Sequence, residues 1–352
     1  MFLLMFTSAV GVAAAVDRYD VSVRDVTEVP MLSSVDGNSD FRQAFNPTWV
    51  QPTFATGYRE GILVRSQNCS SDVGGECVQC GGDQSKASLL AFAELDADTN
   101  TFKPIGSETV VFGPHDGTDS WGTEDPRMQY NKEDELYYMF YTAYNGTNID
   151  LSLATTKDPT NTNTNEGWTH YGPVFPEEET SKSASLLLKT NVYHEYLDTN
   201  YLFWGDNQIR VTTSDDLLHW ASMGETLIEV RPDSWDSKLV ESGPPPLLLS
   251  TGDYLFFYNS AMLGWPEEGT SYNVGYVILS GKDPKKVLQR SSTPLLSPEF
   301  AYQQGSSPYT CNMPNVVFLE AAKPIGNDQF TVYFGAADNT IGSATVVVKT
   351  RV

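Results

Sequence analysis

The chain has 352 residues with 22 Lys+Arg against 45 Asp+Glu, a formal charge of −23. Basic residues that sparse cannot build the cationic stripe that grips a phosphate backbone, nor a patch for anionic lipid, so nucleic-acid and membrane-surface partners are excluded. With 40% hydrophobic, 12% aromatic and only 19% charged residues, the chain has the material for a large buried core and is globular.

Residues 1–15 are apolar and end in Ala13-Ala14-Ala15, the small-residue pattern of a secretory cleavage site. The run is shorter than the ~20 residues of a membrane span. The expectation is therefore a removed signal peptide, a secreted protein without membrane insertion, and a mature domain over residues 16–352. Asn68-Cys69-Ser70 and Asn145-Gly146-Thr147 are glycosylation acceptors that suit that setting. The cysteines are Cys69, Cys77, Cys80 and Cys311, an even number expected to form disulfides, with the pairing left open. One Cys-x-x-Cys pair without a second pair or a His partner does not make a zinc site, and no metal is expected.

Short runs of Tyr, Phe, Leu, Val and Thr, cut by Gly, Pro, Asn and Asp, recur along the whole chain without helical periodicity. Five of them share one pattern, an apolar-aromatic strand, a polar turn and a strand alternating Ser/Thr with apolar residues. They are 61–65 with 87–95, 136–144 with 149–155, 201–205 with 208–213, 254–259 with 274–279, and 330–335 with 341–348. Such a unit cannot cover both of its faces alone, so units must stack, and spacing that leaves room for about four short strands predicts propeller blades. The expected fold is all-β, a five-bladed β-propeller in a single domain. A β-sandwich or β-helix would not explain the spacing. Closure of the ring would bring Cys311 near the 69–80 loop. Residues 66–85 and 157–184 read as long surface loops.

The most distinctive segment is Gly122-Thr123-Glu124-Asp125-Pro126-Arg127, two carboxylates and a guanidinium just before a predicted strand. Proline at 126 predicts an extended Asp125, with Glu124 and Asp125 on opposite faces. An acidic surface turn is the plain alternative. Phe45-Asn46-Pro47, Gly61 to Arg65, Glu241-Ser242-Gly243-Pro244-Pro245-Pro246 and Tyr333-Phe334-Gly335-Ala336-Ala337-Asp338 also set polar residues beside predicted strands.

In this order, over residues 40–345, the segments resemble glycoside hydrolase family 130, five-bladed propellers that cleave β-mannosides by phosphorolysis or hydrolysis. The resemblance implies an oligosaccharide substrate and Asp125 as catalytic acid. It also implies Asn46, Arg65, Arg127 and Asp338 as sugar ligands. The family needs no cofactor beyond inorganic phosphate as co-substrate in its phosphorylases. This chain departs from the phosphorylase pattern in two places. Tyr258-Asn259-Ser260 replaces a Tyr-His-Gly segment whose His is a phosphate contact, and the acid Glu241 stands close to Gly243, after Lys238. A carboxylate there repels phosphate and can activate water, which predicts an inverting hydrolase with Asp125 as acid and Glu241 as base, roughly 6.5–9.5 Å apart.

Two other readings are a fructan- or arabinan-cleaving five-bladed glycosidase, for which the Asn-Asp-Pro-Asn-Gly segment is missing, and a non-catalytic glycan-binding propeller using Trp121, Trp204, Trp235 or Trp265. The four His residues occur without a Gly-x-Ser-x-Gly elbow or His-Glu-x-x-His, and no Gly-rich phosphate loop leads into a helix. No heptad marks an oligomer interface.

Overall fold

The computed structural model describes residues 18–67, 87–191, 197–221, 224–263, 270–309 and 313–351. The expected leader, Asn68, all four cysteines, His194 and Trp265 lie outside the described residues.

The chain opens with β1 (Tyr19–Arg24) and then forms five antiparallel sheets in succession. The first holds β2 (Gln43–Val50), β3 (Gly61–Gln67), β4 (Leu89–Asp96), β5 (Thr101–Phe102) and β6 (Val110–Phe112). The second holds β7 (Gly122–Asn131), β8 (Leu136–Tyr144), β9 (Ile149–Thr156) and β10 (Trp168–Pro173). The third holds β11 (Ser185–Leu187), β12 (Asn200–Trp204), β13 (Gln208–Ser214) and β14 (Glu225–Glu229). The fourth holds β15 (Leu239–Ser242), β16 (Leu247–Leu248), β17 (Tyr254–Leu263), β18 (Thr270–Leu279) and β19 (Val287–Arg290). After the short helix α1 (Ala301–Gln304), β20 (Val317–Gly326), β21 (Gln329–Ala336) and β22 (Thr340–Thr350) make the fifth, and β1 pairs with β22 to complete it.

This is a five-bladed propeller, and its core explains why both faces of each blade's middle strands are apolar. In β3, Leu63 packs toward Met128 and Tyr141 of the second blade, while Ile62 and Val64 face Ala321 and Tyr333 of the fifth. The same two-sided use, dictated by the period-2 alternation of strand side chains, recurs around the ring. Phe140 and Leu153 meet Leu202 and Trp204, Phe203 meets Phe256, and Phe257 meets Leu319 and Phe334. Each apolar layer lies between neighbouring blades, so the ring closes only when all five are present.

The repeats read from the sequence correspond to the second and third strands of every blade. Residues 157–184 differ from expectation. Trp168–Pro173 in that stretch is β10, the outermost strand of the second blade, with Trp168 buried against Phe112. Its run of Thr, Asn and Glu neighbours hides a single-faced edge strand.

Candidate active site

The innermost strands run along the propeller axis, and their irregularities aim polar groups at one end of it. Asn46 sits in a register break of β2 between Phe45 and Pro47, with φ 47°. Asp125 sits in a break of β7 between Glu124 and Arg127, with φ 48°. Asp338, φ 47°, sits in the middle of the turn between β21 and β22. A left-handed backbone in a non-glycine residue is uncommon and costs energy, and a bulge re-aims the side chain it carries. The expectation of an extended Asp125 is therefore corrected. The bulge breaks the alternation, and Glu124 and Asp125 both reach the same guanidinium.

That guanidinium belongs to Arg65. Its Nη1 donates to Asp125 Oδ1 at 3.0 Å, its Nη2 to Glu124 Oε1 at 2.6 Å and its Nε to Ser88 Oγ at 3.0 Å. Its flat face lies 4.7 Å from the centre of the Phe45 ring. Across the cavity, Lys182 Nζ is 3.3 Å from Glu241 Oε2, which also accepts a hydrogen bond from Ser183 Oγ at 2.7 Å. Arg65, Asp125, Lys182, Glu241, Asp338 and Asn46 line one cavity of about 220 Å³, walled by Phe45, Tyr272 and Phe318. Five blades thus supply one pocket of acids, cations and aromatic faces. That mixture suits a sugar ring, which offers hydroxyls at its rim and C–H groups on its faces.

The charges set each other's protonation. Burial would raise the Asp125 carboxyl, but Arg65, Lys182 and Arg127 outweigh it and hold the group below the usual carboxylate range. Burial raises Glu124 despite the pull of Arg65. Burial pushes Asp338 up to about 7 against Arg65 and Lys182, with the charges of Asp125 and Glu241 adding to the shift. Burial alone would lower Lys182, yet Glu241, Asp125 and Asp206 keep its ammonium above the usual lysine range.

Arg127, expected among the sugar ligands, is corrected in its placement. Its side chain has 0% exposure and pairs at 2.8 Å with the equally buried Glu320, and neither is among the residues lining the cavity. Asn259, the residue in place of the phosphorylase His, is also fully buried. Its Nδ2 donates to the Leu319 carbonyl at 3.0 Å and its Oδ1 accepts from the Leu319 amide at 2.7 Å, joining the fourth blade to the fifth. Lys238 is exposed, with Nζ 3.3 Å from Thr270 Oγ1. Trp204 is buried, Trp235 stacks on Tyr258 and Trp121 packs on Tyr144, so none of these three lines the cavity. Asn145 heads the turn from β8 to β9, its Oδ1 accepting from the Thr147 and Asn148 amides. Among the described residues no group of three or more His, Cys, Asp or Glu is arranged to hold a metal ion.

Lys182, Ser183, Tyr272 and Glu320 belong to none of the sequence motifs above. Glu320 carried a signal, being a lone acid inside Val-Val-Phe-Leu-Glu-Ala-Ala, where a charge is buried only with a partner. Lys182 lay in the stretch read as loop.

The sequence profile of glycoside hydrolase family 130, described as β-1,4-mannooligosaccharide phosphorylase, matches residues 84–351. A 1,2-β-oligomannan phosphorylase from Thermoanaerobacter sp. (strain X514) is 31% identical over 232 residues, 65% of this chain and 69% of the relative. A candidate glycosidase of known structure from Bacteroides thetaiotaomicron superposes with TM-score 0.69 at 27% identity, covering 91% of each chain. The β-1,2-mannobiose phosphorylase of Listeria innocua, in complex with β-1,2-mannobiose, shares the fold at TM-score 0.70 and 20% identity, over 93% of this chain and 96% of that one. The profile takes in well over half of the chain, including four of the five blades that build the cavity, and the protein belongs to glycoside hydrolase family 130, a family of enzymes acting on mannosides.

Proposed function

We propose that the protein hydrolyses a β-mannosidic linkage of a manno-oligosaccharide with inversion, Asp125 as general acid and Glu241 as general base. The observation that carries this reading is the charge inventory of the cavity. Arg65 is taken by Glu124 and Asp125, and Lys182 by Glu241. A phosphate dianion would have to strip a carboxylate from one of these cations and then lie among the acids. A water molecule beside Glu241 meets no such barrier.

In the proposed step Asp125 gives its proton to the glycosidic oxygen, directly or through a sugar hydroxyl, as the bond from the anomeric carbon breaks. Water attacks that carbon from the opposite face and Glu241 takes the proton it sheds. Arg65 favours the ionised form of Asp125, so the acid role requires sugar hydroxyls to draw the guanidinium away. Asp338, whose carboxyl burial pushes up to about 7, donates to ring hydroxyls in its protonated form, and Asn46 donates through its amide. An extracellular setting, expected from residues 1–15, supports hydrolysis, because phosphorolysis mainly benefits a cell that captures the sugar phosphate.

Phosphorolysis is the second reading, favoured by the family description and by the oligomannan phosphorylase relative. There Lys182 would leave Glu241 for phosphate. The test is incubation with β-1,2- and β-1,4-linked manno-oligosaccharides with and without inorganic phosphate, reading mannose and mannose 1-phosphate separately. Free mannose independent of phosphate is expected, with kcat lowered about 10²–10⁴-fold in Asp125→Asn and in Glu241→Gln. Mannose 1-phosphate formed only with phosphate would overturn hydrolysis.

A further inference from the structure

Arg127 and Glu320 are a buried pair of ionisable side chains that the proposed chemistry leaves unused. They lie on inner strands of the second and fifth blades, and both side chains have 0% exposure. Arg127 Nη1 donates to the backbone carbonyl of Asp125 at 2.9 Å, and Nη2 donates to the backbone carbonyl of Ser242 at 2.9 Å. Ser242 directly follows Glu241. One planar guanidinium therefore bonds the backbone at the acid and the backbone next to the base, on strands β7 and β15 that belong to different sheets and share no ladder.

Glu320 meets the Nη2 arm of this fork, the one that also reaches Ser242. Its Oε1 is 2.8 Å from Arg127 Nη2, and it stands in the register break of β20 between Leu319 and Ala321. It also lines a second cavity of about 300 Å³, walled by Thr48, Met128, Pro244 and Ala322 further along the same inner strands. With the two carbonyls, the pair thus ties the second, fourth and fifth blades together at the axis. Stability alone is a poor reason for it, since buried ion pairs can often be replaced by apolar groups without loss. Apolar groups cannot, however, hold two carbonyls at a fixed distance.

We infer that Arg127 is a positioning residue that sets the separation of the Asp125 and Glu241 carboxylates, with Glu320 as the anchor that holds its guanidinium in place. The inference rests on the acid and base roles proposed above. An inverting pair needs room for one water between the carboxylates and the sugar, and a displacement of about 1 Å costs on the order of 100-fold in rate. Lysine keeps the charge of Arg127 but lacks the planar fork that reaches both carbonyls.

The test compares Arg127→Lys, Glu320→Gln and Glu320→Leu with the parent protein in phosphate-free and phosphate-containing buffer, measuring kcat, KM, thermal midpoint and calorimetric binding of mannobiose. For Arg127→Lys, kcat is expected to fall about 100-fold while KM and mannobiose binding stay within about threefold, because Asn46, Arg65 and Asp338 are untouched. Glu320→Gln keeps an acceptor for the guanidinium and retains most of the rate. Glu320→Leu removes the acceptor and falls with Arg127→Lys. Unchanged turnover in Arg127→Lys, or loss of kcat in step with binding and thermal midpoint across the series, would overturn the inference. If the parent protein yields only mannose 1-phosphate, hydrolysis fails as its function. The positioning role is then judged by the same comparison on the phosphorolysis rate, through Asp125.

Discussion

Asp338 shows how much a single residue's environment decides. Its carboxyl is buried among Asp125 and Glu241, and its pKa of about 7 stands above the ordinary aspartate value that it regains on unfolding. Below about pH 4 it is protonated in both states and opposes nothing; as pH rises toward about 7 the unfolded chain ionises freely while the folded one resists, so stability is lost across that window. Asp125 acts in the other direction. Its depressed pKa contributes stability above the ordinary aspartate value that disappears only as pH falls below it, which keeps the two effects in separate windows. The thermal midpoint is therefore expected to decline between about pH 5 and pH 7, Asp338 contributing a slope of up to one proton, about 1.4 kcal/mol per pH unit, and Asp338→Asn is expected to make the decline shallower by that amount. A variant profile parallel to the parent's would show that Asp338 is already ionised. Glu320, pushed up by burial to about 8 against the pull of Arg127, adds its own decline across the same window and on to about pH 8 in either protein.

At the scale of elements, the contrast between β17 and the inner strands explains which parts could be read from sequence. Asn259, in the middle of β17, makes both of its hydrogen bonds to Leu319 of β20, so its role is to clamp two blades. Asn259→His is expected to lose at least one of these bonds, lower stability by about 1–3 kcal/mol, and leave product and phosphate independence unchanged. A gain of phosphate dependence, read by the same product assay, would place position 259 in a phosphate site after all. The second and third strands of every blade were legible because apolar layers press on both faces, giving Leu136–Tyr144 or Tyr254–Asn259 an unmistakable run. The inner strands were not. β11 has only the residues Ser185–Leu187, β15 only Leu239–Ser242, and β2 and β7 are broken by bulges where their polar residues turn toward the axis. The site followed the same division. Asp125, Glu241, Asn46, Arg65 and Asp338 stood out in short motifs, whereas Lys182 and Glu320 acquire meaning only from partners in other blades. Arg127 shows the limit most clearly, because a motif position does not say whether a side chain faces the cavity or is buried against a partner such as Glu320.

At the scale of the whole molecule, the ring is closed by its first strand. β1 pairs along its full length with β22, Tyr19 opposite Thr350 through Arg24 opposite Thr345. Tyr19 is buried with Phe257, Tyr276 and Phe330, and its hydroxyl donates to Asp253 Oδ2 at 2.5 Å. Its backbone amide donates to Gln289 Oε1 at 3.0 Å, and Gln289 Nε2 donates back to the Tyr19 carbonyl at 2.9 Å. One strand thus completes the fifth blade and fastens it to the fourth. Tyr19→Ala removes the ring and hydroxyl while leaving the ladder, and a loss of about 3–5 kcal/mol is expected, as for other buried aromatics cut to alanine. Deleting residues 1–24 goes further, because it strips β22 of its partner and leaves a long strand with an open row of donors and acceptors, a template for pairing with another chain. The truncated protein is expected to self-associate, with turnover lost in proportion to the associated fraction, since the inner strands of the fifth blade hold Glu320 and lead into Asp338. Sedimentation and thermal melting of the two variants separate the effects: a monomeric truncation with an unshifted midpoint would mean that the interblade layers close the propeller without β1.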